Sequence, residues 1–120
     1  MSEKPLFTVQ INEGVPEITP EQLFSHLGQV TLIDVRRPDE YSGELSHIQG
    51  ARLVTLGPDL DTFLDLHDKN DHVVFICRSG ARSGRATVAS RERGYTNTFN
   101  LQGGMLLWNQ KQLPTAGGRS

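Results

Sequence analysis

Cysteine is nearly absent from this chain of 120 residues, where Cys77 is the one thiol. A single thiol closes no intramolecular disulfide, so the fold has no covalent staple and no need of an oxidising compartment. Charge of one sign is lacking as well: a formal net charge of −2 gives no electrostatic reason to expect nucleic acid or an anionic membrane as partner. No apolar run approaches the roughly 20 residues that cross a bilayer. Met1–Pro5 lacks the apolar stretch of a signal peptide, so cytoplasm is the expected compartment. The histidines at 26, 47, 67 and 72 stand without ligand spacing beside a second cysteine, which rejects a zinc site. The acidic stretch from Asp59 to Asp71 has neither the glycine nor the alternation of an EF-hand. No metal and no cofactor are expected. Repeats and low-complexity blocks are missing too, and this length holds one core.

What is present is an alternation of short strand and helix signals. Phe7, Val9 and Ile11 alternate with polar residues as in a strand, before a turn at Glu13-Gly14. Thr19-Pro20-Glu21-Gln22 reads as a helix start with Thr19 as N-cap and Gln22 closing a capping box. Leu23, Phe24 and Leu27 give that helix an apolar face, and Gly28 ends it. Thr31–Val35 is a β-branched run suited to a strand buried on both faces of a parallel sheet. A helical turn is expected at Pro38–Tyr41, a brief strand near Ala51–Val54, and a helix carrying Leu60, Phe63 and Leu64 inward with Asp59, Asp61, Asp65 and Asp68 outward. Val73–Ile76 is the strongest strand signal. A helix from Ser83 to Arg93, a strand at Thr98–Leu101, a sharp turn at Gly103-Gly104 and a helix from Met105 to Lys111 complete the pattern. The fold class is therefore α/β, layered, with a mainly parallel sheet and ligand chemistry at the carboxyl ends of its strands.

Cys77 stands at such an end. The loop that follows, Cys77-Arg78-Ser79-Gly80-Ala81-Arg82-Ser83, must reverse the chain within a few residues, and Gly80 supplies the positive φ this needs. A curve of this kind turns successive N–H groups inward as an anion nest, and the next helix adds the positive end of its dipole. Arg82 can fold across the opening, Arg78 can reach a second anionic group on a substrate, and Arg85 adds positive potential. Thiolate, not thiol, is the reactive species. Keeping a cysteine mostly ionised at pH 7 calls for about 2.7 kcal/mol of preferential stabilisation, which several N–H donors, a helix terminus and an arginine can supply. A lone cysteine at a strand end is otherwise a small buried hydrophobe; the arginines, the glycine and the strand-to-helix setting point to a nucleophile instead.

Val73-Val74-Phe75-Ile76-Cys77-Arg78-Ser79-Gly80-Ala81-Arg82-Ser83 resembles the active-site segment of rhodanese-domain sulfurtransferases. Asp34-Val35-Arg36-Arg37-Pro38-Asp39-Glu40-Tyr41 with His47-Ile48-Gln49-Gly50-Ala51 is similar to that family's first signature, and Leu101-Gln102-Gly103-Gly104-Met105 with Trp108 and Pro114 to its C-terminal one. The resemblance implies a rhodanese-like three-layer fold over residues 16–115, preceded by a segment at 1–15 with a short strand and followed by a flexible tail at 116–120. It implies a Cys77 thiolate that takes the outer sulfur of thiosulfate, becomes a persulfide and yields that sulfur to cyanide or a thiol in two half-reactions. The expected partners are a small anionic sulfur donor, the acceptor, and a sulfur-relay protein in a carrier variant of the same chemistry. The six residues from Cys77 to Arg82 match the sulfur-handling loops. Phosphatase and arsenate-reductase relatives close a longer loop with an arginine where Ser83 stands here.

Within that resemblance, catalysis falls to Cys77 and substrate binding to Arg78, Ser79, Gly80, Ala81 and Arg82. Asp34, Arg36 and Ser83 are supporting residues. Arg36 is expected to hold Asp34, Glu40 or a loop carbonyl, and Ser83 to cap the helix rather than donate to the sulfur. His47 reads as a hydrogen-bonded structural histidine and not a base, since a thiolate ionised by its loop needs none. Ser46 stands where the family has glycine. Trp108 is expected in the core.

Overall fold

Strands and helices alternate along residues 5–116, the part of the chain that the computed structural model describes. The N-terminal half comprises β1 (Gln10–Asn12), β2 (Val15–Ile18), α1 (Pro20–Phe24), β3 (Thr31–Asp34), α2 (Pro38–Tyr41) and β4 (Arg52–Leu53). The C-terminal half comprises α3 (Pro58–Leu66), β5 (Val73–Ile76), α4 (Ala81–Glu92), β6 (Thr98–Leu101) and α5 (Gly104–Gln110). The strands form one sheet in the order β1-β2-β6-β5-β3-β4. Every pairing is parallel except the β1–β2 hairpin.

The central strand explains the layering. All four residues of β5 are buried, and side chains alternate between faces along a strand. Val74 and Ile76 join Leu23, Leu101, Met105 and Trp108 on one face, while Val73 and Phe75 join Leu60, Leu64, Ala86 and Tyr95 on the other. Helices α1 and α5 thus cover one side of the sheet, and α3 and α4 the other. Burying each large apolar side chain of β5 contributes about 1.5–3 kcal/mol relative to exposure. That rigid strand is what delivers Cys77.

The structure departs from the sequence reading at the N-terminus. The alternation at Phe7–Ile11 yields only the edge strand β1, with Ile11 68% exposed, while Phe7 reaches the core from outside the strand and packs edge-on against Phe99. β2 was not expected at all, because Pro16 cannot donate to a ladder. Its pairing with β6 uses the two residues beyond the proline, Glu17 opposite Asn100 and Ile18 opposite Leu101. Thr19 does cap α1, accepting from Gln22 N–H at 3.2 Å, but the capping box is not closed. Gln22 instead clasps both backbone groups of Thr8, at 2.7 and 3.0 Å. α1 ends at Phe24, and Leu27–Gln29 forms a separate 3-10 turn ahead of β3. α4 begins at Ala81, two residues before the expected start. Of the tail expected at 116–120, residues 117–120 lie outside the described residues, as do residues 1–4 of the N-terminal segment.

Candidate active site

β5 ends at Ile76, and Gly80 at φ 106° turns the chain into α4 as its N-cap. Only Cys77, Arg78 and Ser79 lie between, so the loop curls tightly about the cysteine. Gly80 N–H donates to Cys77 Sγ at 3.0 Å, and the Ser83 hydroxyl lies 3.2 Å from the same sulfur. These are the two donors that reach Sγ among the described residues. The sequence places the thiol at the mouth of a strand, with Arg82 able to fold across the opening. In the structure Cys77 is 1% exposed, because Gly80 and the first turn of α4 close over it, while Arg78 and Ser79 project into solvent above.

Ser83 is not a cap: Gly80 occupies that position, and Ser83 is buried one turn into α4. Its Oγ also lies 2.5 Å from Asn100 Oδ1. The orientation of the Asn100 amide is fixed by its other end, where Nδ2 donates to Glu17 Oε2 at 2.8 Å and to the Gly80 carbonyl at 3.0 Å. Both of those partners are acceptors, so the amide cannot be turned round. A polar line therefore runs from Glu17 through Asn100 and Ser83 to the sulfur.

Arg82 does not lie free across the opening. Its guanidinium forks onto Glu40, Nη1 to Oε1 at 2.7 Å and Nη2 to Oε2 at 2.8 Å. Planar bidentate pairing is the strong form of this contact. It holds the Glu40 carboxyl down at about 2 and raises Arg82 further. Arg78 and Arg85 are exposed and have no side-chain partner among the described residues. Ser79 and Ala81 are exposed at the rim.

Asp34 and Arg36 form a second fork, wholly buried. Arg36 Nε and Nη2 donate to the two Asp34 oxygens at 2.9 and 2.8 Å, and Nη2 also donates to the Ser46 carbonyl at 2.7 Å. Of the partners considered for Arg36, Asp34 and a loop carbonyl are the ones it holds; Glu40 goes to Arg82. His47 stacks on Tyr41 with ring centroids 3.6 Å apart and donates through Nδ1 to the Tyr41 carbonyl. Trp108 is fully buried, with Nε1 donating to the Pro114 carbonyl at 2.8 Å.

The back of the loop rests on α5. Met105 N–H donates to the Cys77 carbonyl at 2.8 Å and Leu106 N–H to the Arg78 carbonyl at 2.9 Å. Gly104 has φ 57°, and a Cβ there would collide with both carbonyl oxygens. Close backbone approach is what this glycine permits.

Sequence reasoning missed Glu40 as the partner of Arg82, Asn100 and Glu17. Asn100 carried a readable signal, an amide side chain between Phe99 and Leu101 in a strand read as buried, which requires partners. Glu40 carried none: its arginine lies 42 positions away.

Among the described residues no helix is long and apolar enough to cross a membrane. The Rhodanese-like domain model matches residues 19–111. A protein of Allochromatium vinosum named sulfurtransferase is 32% identical over 111 residues, covering 83% of this chain and 94% of that protein. The uncharacterized protein YqhL of Bacillus subtilis is 35% identical over 95 residues, 78% of this chain and 72% of its own. The chain spans only 25% of the Mycobacterium tuberculosis probable adenylyltransferase/sulfurtransferase MoeZ, at 32% identity. Among solved structures, human single-domain sulfurtransferase TSTD1 superposes with a TM-score of 0.73 at 28% identity, covering 82% of this chain and 99% of that one. With the family model spanning β3 to β6, the cysteine loop and α5, this chain belongs to the rhodanese-like domain family of sulfurtransferases and sulfur carriers.

Proposed function

We propose that the protein moves sulfane sulfur from thiosulfate to a thiol or cyanide through a persulfide on Cys77, in the cytoplasm. The observation that carries this reading is Cys77 Sγ at the end of β5, receiving Gly80 N–H at 3.0 Å and facing the Ser83 hydroxyl at 3.2 Å. The thiolate attacks the outer sulfur of thiosulfate, a new S–S bond forms, and sulfite departs with the electron pair of the bond that breaks. Arg78 meets the anion at the rim, and the backbone of Ser79 to Arg82 cradles it. The Asp34–Arg36 fork, at the end of β3 beside β5, ties that strand end to the Ser46 carbonyl. Because Cys77 is buried, the rim has to open for each donor. A yeast relative at 32% identity is named thiosulfate:glutathione sulfurtransferase, which agrees with this donor and with a thiol as acceptor.

Incubation with thiosulfate should add about 32 Da to Cys77, the mass of one persulfide sulfur, and cyanide should then release thiocyanate. Cys77→Ser should abolish both; turnover retained in that variant would discard the assignment. A second reading, a carrier loaded by a partner protein, is favoured by the burial of Cys77 and the neutralised Arg82. A Bacillus subtilis relative at 30% identity is named putative sulfur carrier protein YrkF. That reading gives one persulfide per chain and negligible turnover with small molecules. Arylphosphate hydrolysis is expected from neither.

A further inference from the structure

Beside the cysteine loop lies a pocket of about 340 Å³ lined by Arg36, Asp39, Glu40, Gly43, Glu44, Leu45 and Arg78. Its charges divide into those already matched and those that are not. Arg36 is bound to Asp34, Glu40 to Arg82, and Asp39 to Arg37. Two lining charges have no partner among the described residues: the Arg78 guanidinium, on the residue next to the nucleophile, and the Glu44 carboxylate. Leu45 offers an apolar patch, its other side packed on the core. A pocket that has neutralised three of its charges and left one cation and one anion is matched to a ligand carrying one of each sign. Neither thiosulfate nor cyanide is such a ligand.

We propose that this pocket is the acceptor site, and that it selects amino-acid-type thiols bearing both a carboxylate, for Arg78, and an ammonium, for Glu44. The inference rests on the sulfurtransferase reading above and names the acceptor class for it. The acceptor's thiolate attacks the outer sulfur of the Cys77 persulfide and forms a new S–S bond. The bond between that sulfur and Cys77 Sγ breaks, its electron pair returns to Sγ, and the acceptor leaves as a persulfide. No oxidant or reductant is consumed.

The test loads Cys77 with thiosulfate and follows loss of the added sulfur by mass spectrometry under four thiols. Cysteine carries both charges, N-acetylcysteine the carboxylate only, cysteamine the ammonium only, and 2-mercaptoethanol neither. Dividing each variant's rate by the wild-type rate for the same thiol removes intrinsic thiol reactivity. Glu44→Gln should slow cysteine and cysteamine about three- to fivefold, the scale of a partly exposed charge pair, and leave the other two unchanged. Arg78→Gln, loaded with inorganic polysulfide because Arg78 also meets thiosulfate, should be discharged by cysteine and N-acetylcysteine more slowly, by a similar factor, relative to its discharge by cysteamine and 2-mercaptoethanol. Equal slowing of all four thiols, or of none, overturns the acceptor site while leaving persulfide chemistry intact. Failure to load with either thiosulfate or inorganic polysulfide removes the sulfurtransferase reading, and the acceptor site with it.

Discussion

Two arginine–carboxylate forks serve the neighbourhood of Cys77, alike in geometry and unlike in burial. Asp34 and Arg36 are 0% and 1% exposed, two positions apart in sequence, and satisfied by additional backbone contacts, Arg36 N–H to Asp34 at 3.1 Å and Arg36 to the Ser46 carbonyl. Glu40 and Arg82 keep 16% and 30% of their side-chain surface and join segments 42 residues apart. The first fork cannot exchange its partner for water without stranding a charge in the interior. The second can. Burial therefore separates a latch that fixes the ends of β3 and the 46 region from a pair that sets the charge presented at the loop's rim.

The widest separation between the two should come from removing one carboxylate at a time. Asp34→Ala strands Arg36 and should lower unfolding stability by about 3–5 kcal/mol, the range for a broken buried pair, as measured by urea denaturation. A loss under 1 kcal/mol would mean that water reaches Arg36, and the contrast with Glu40 would vanish. Gly104→Ala comes next. A positive φ and a Cβ against the Cys77 and Arg78 carbonyls should cost about 1–3 kcal/mol and should slow persulfide loading beyond what stability explains, because the loop itself must shift.

Glu40→Gln should cost less stability than Asp34→Ala, about 1–2 kcal/mol, because the pair is bidentate yet partly exposed. It should raise the rate of loading from thiosulfate several-fold by releasing the charge of Arg82, most visibly at low salt. A fall in that rate would show that Glu40 serves to hold Arg82 in place. The same variant sharpens the pH comparison. Glu40 ionises at about 2 in the folded protein against an ordinary 4.5. Its stabilisation is thus complete above about 4.5 and lost as pH falls through about 2, and Glu40→Gln should flatten the acid limb of stability in that window. The smallest effect belongs to Asp39→Asn. The Arg37–Asp39 pair is exposed on both sides, and the thermal midpoint should not move measurably.

The legible parts of this molecule were those written in contiguous residues. Val73–Ile76 followed by a glycine-turned loop and a helix is a local sentence, and β5, the loop and α4 stand where it put them, with α4 two residues longer at its start. α2, β4 and β6 were equally local. What failed to show was pairing across distance. Nothing near Arg82 in the chain announces Glu40, and nothing near Ser83 announces Asn100, because the first pair is brought together by the parallel register of β3 and β5 and the second by that of β5 and β6. β2 escaped because Pro16 argues against a strand, and its pairing with β1 on one side and β6 on the other overrides it. The burial of Cys77 was also invisible. A thiol at a strand's end looks open until the first turn of the next helix is laid across it.

Ser83 has one hydrogen and two claimants, the amide oxygen of Asn100 and the sulfur of Cys77. With the amide held from behind by Glu17 and Gly80, the hydroxyl alone is free to swivel. The link between β2 and the Cys77 sulfur thus turns on the rotation of a single O–H bond, and β2, at the far end of that line, is in hydrogen-bonded touch with the sulfur without ever approaching it.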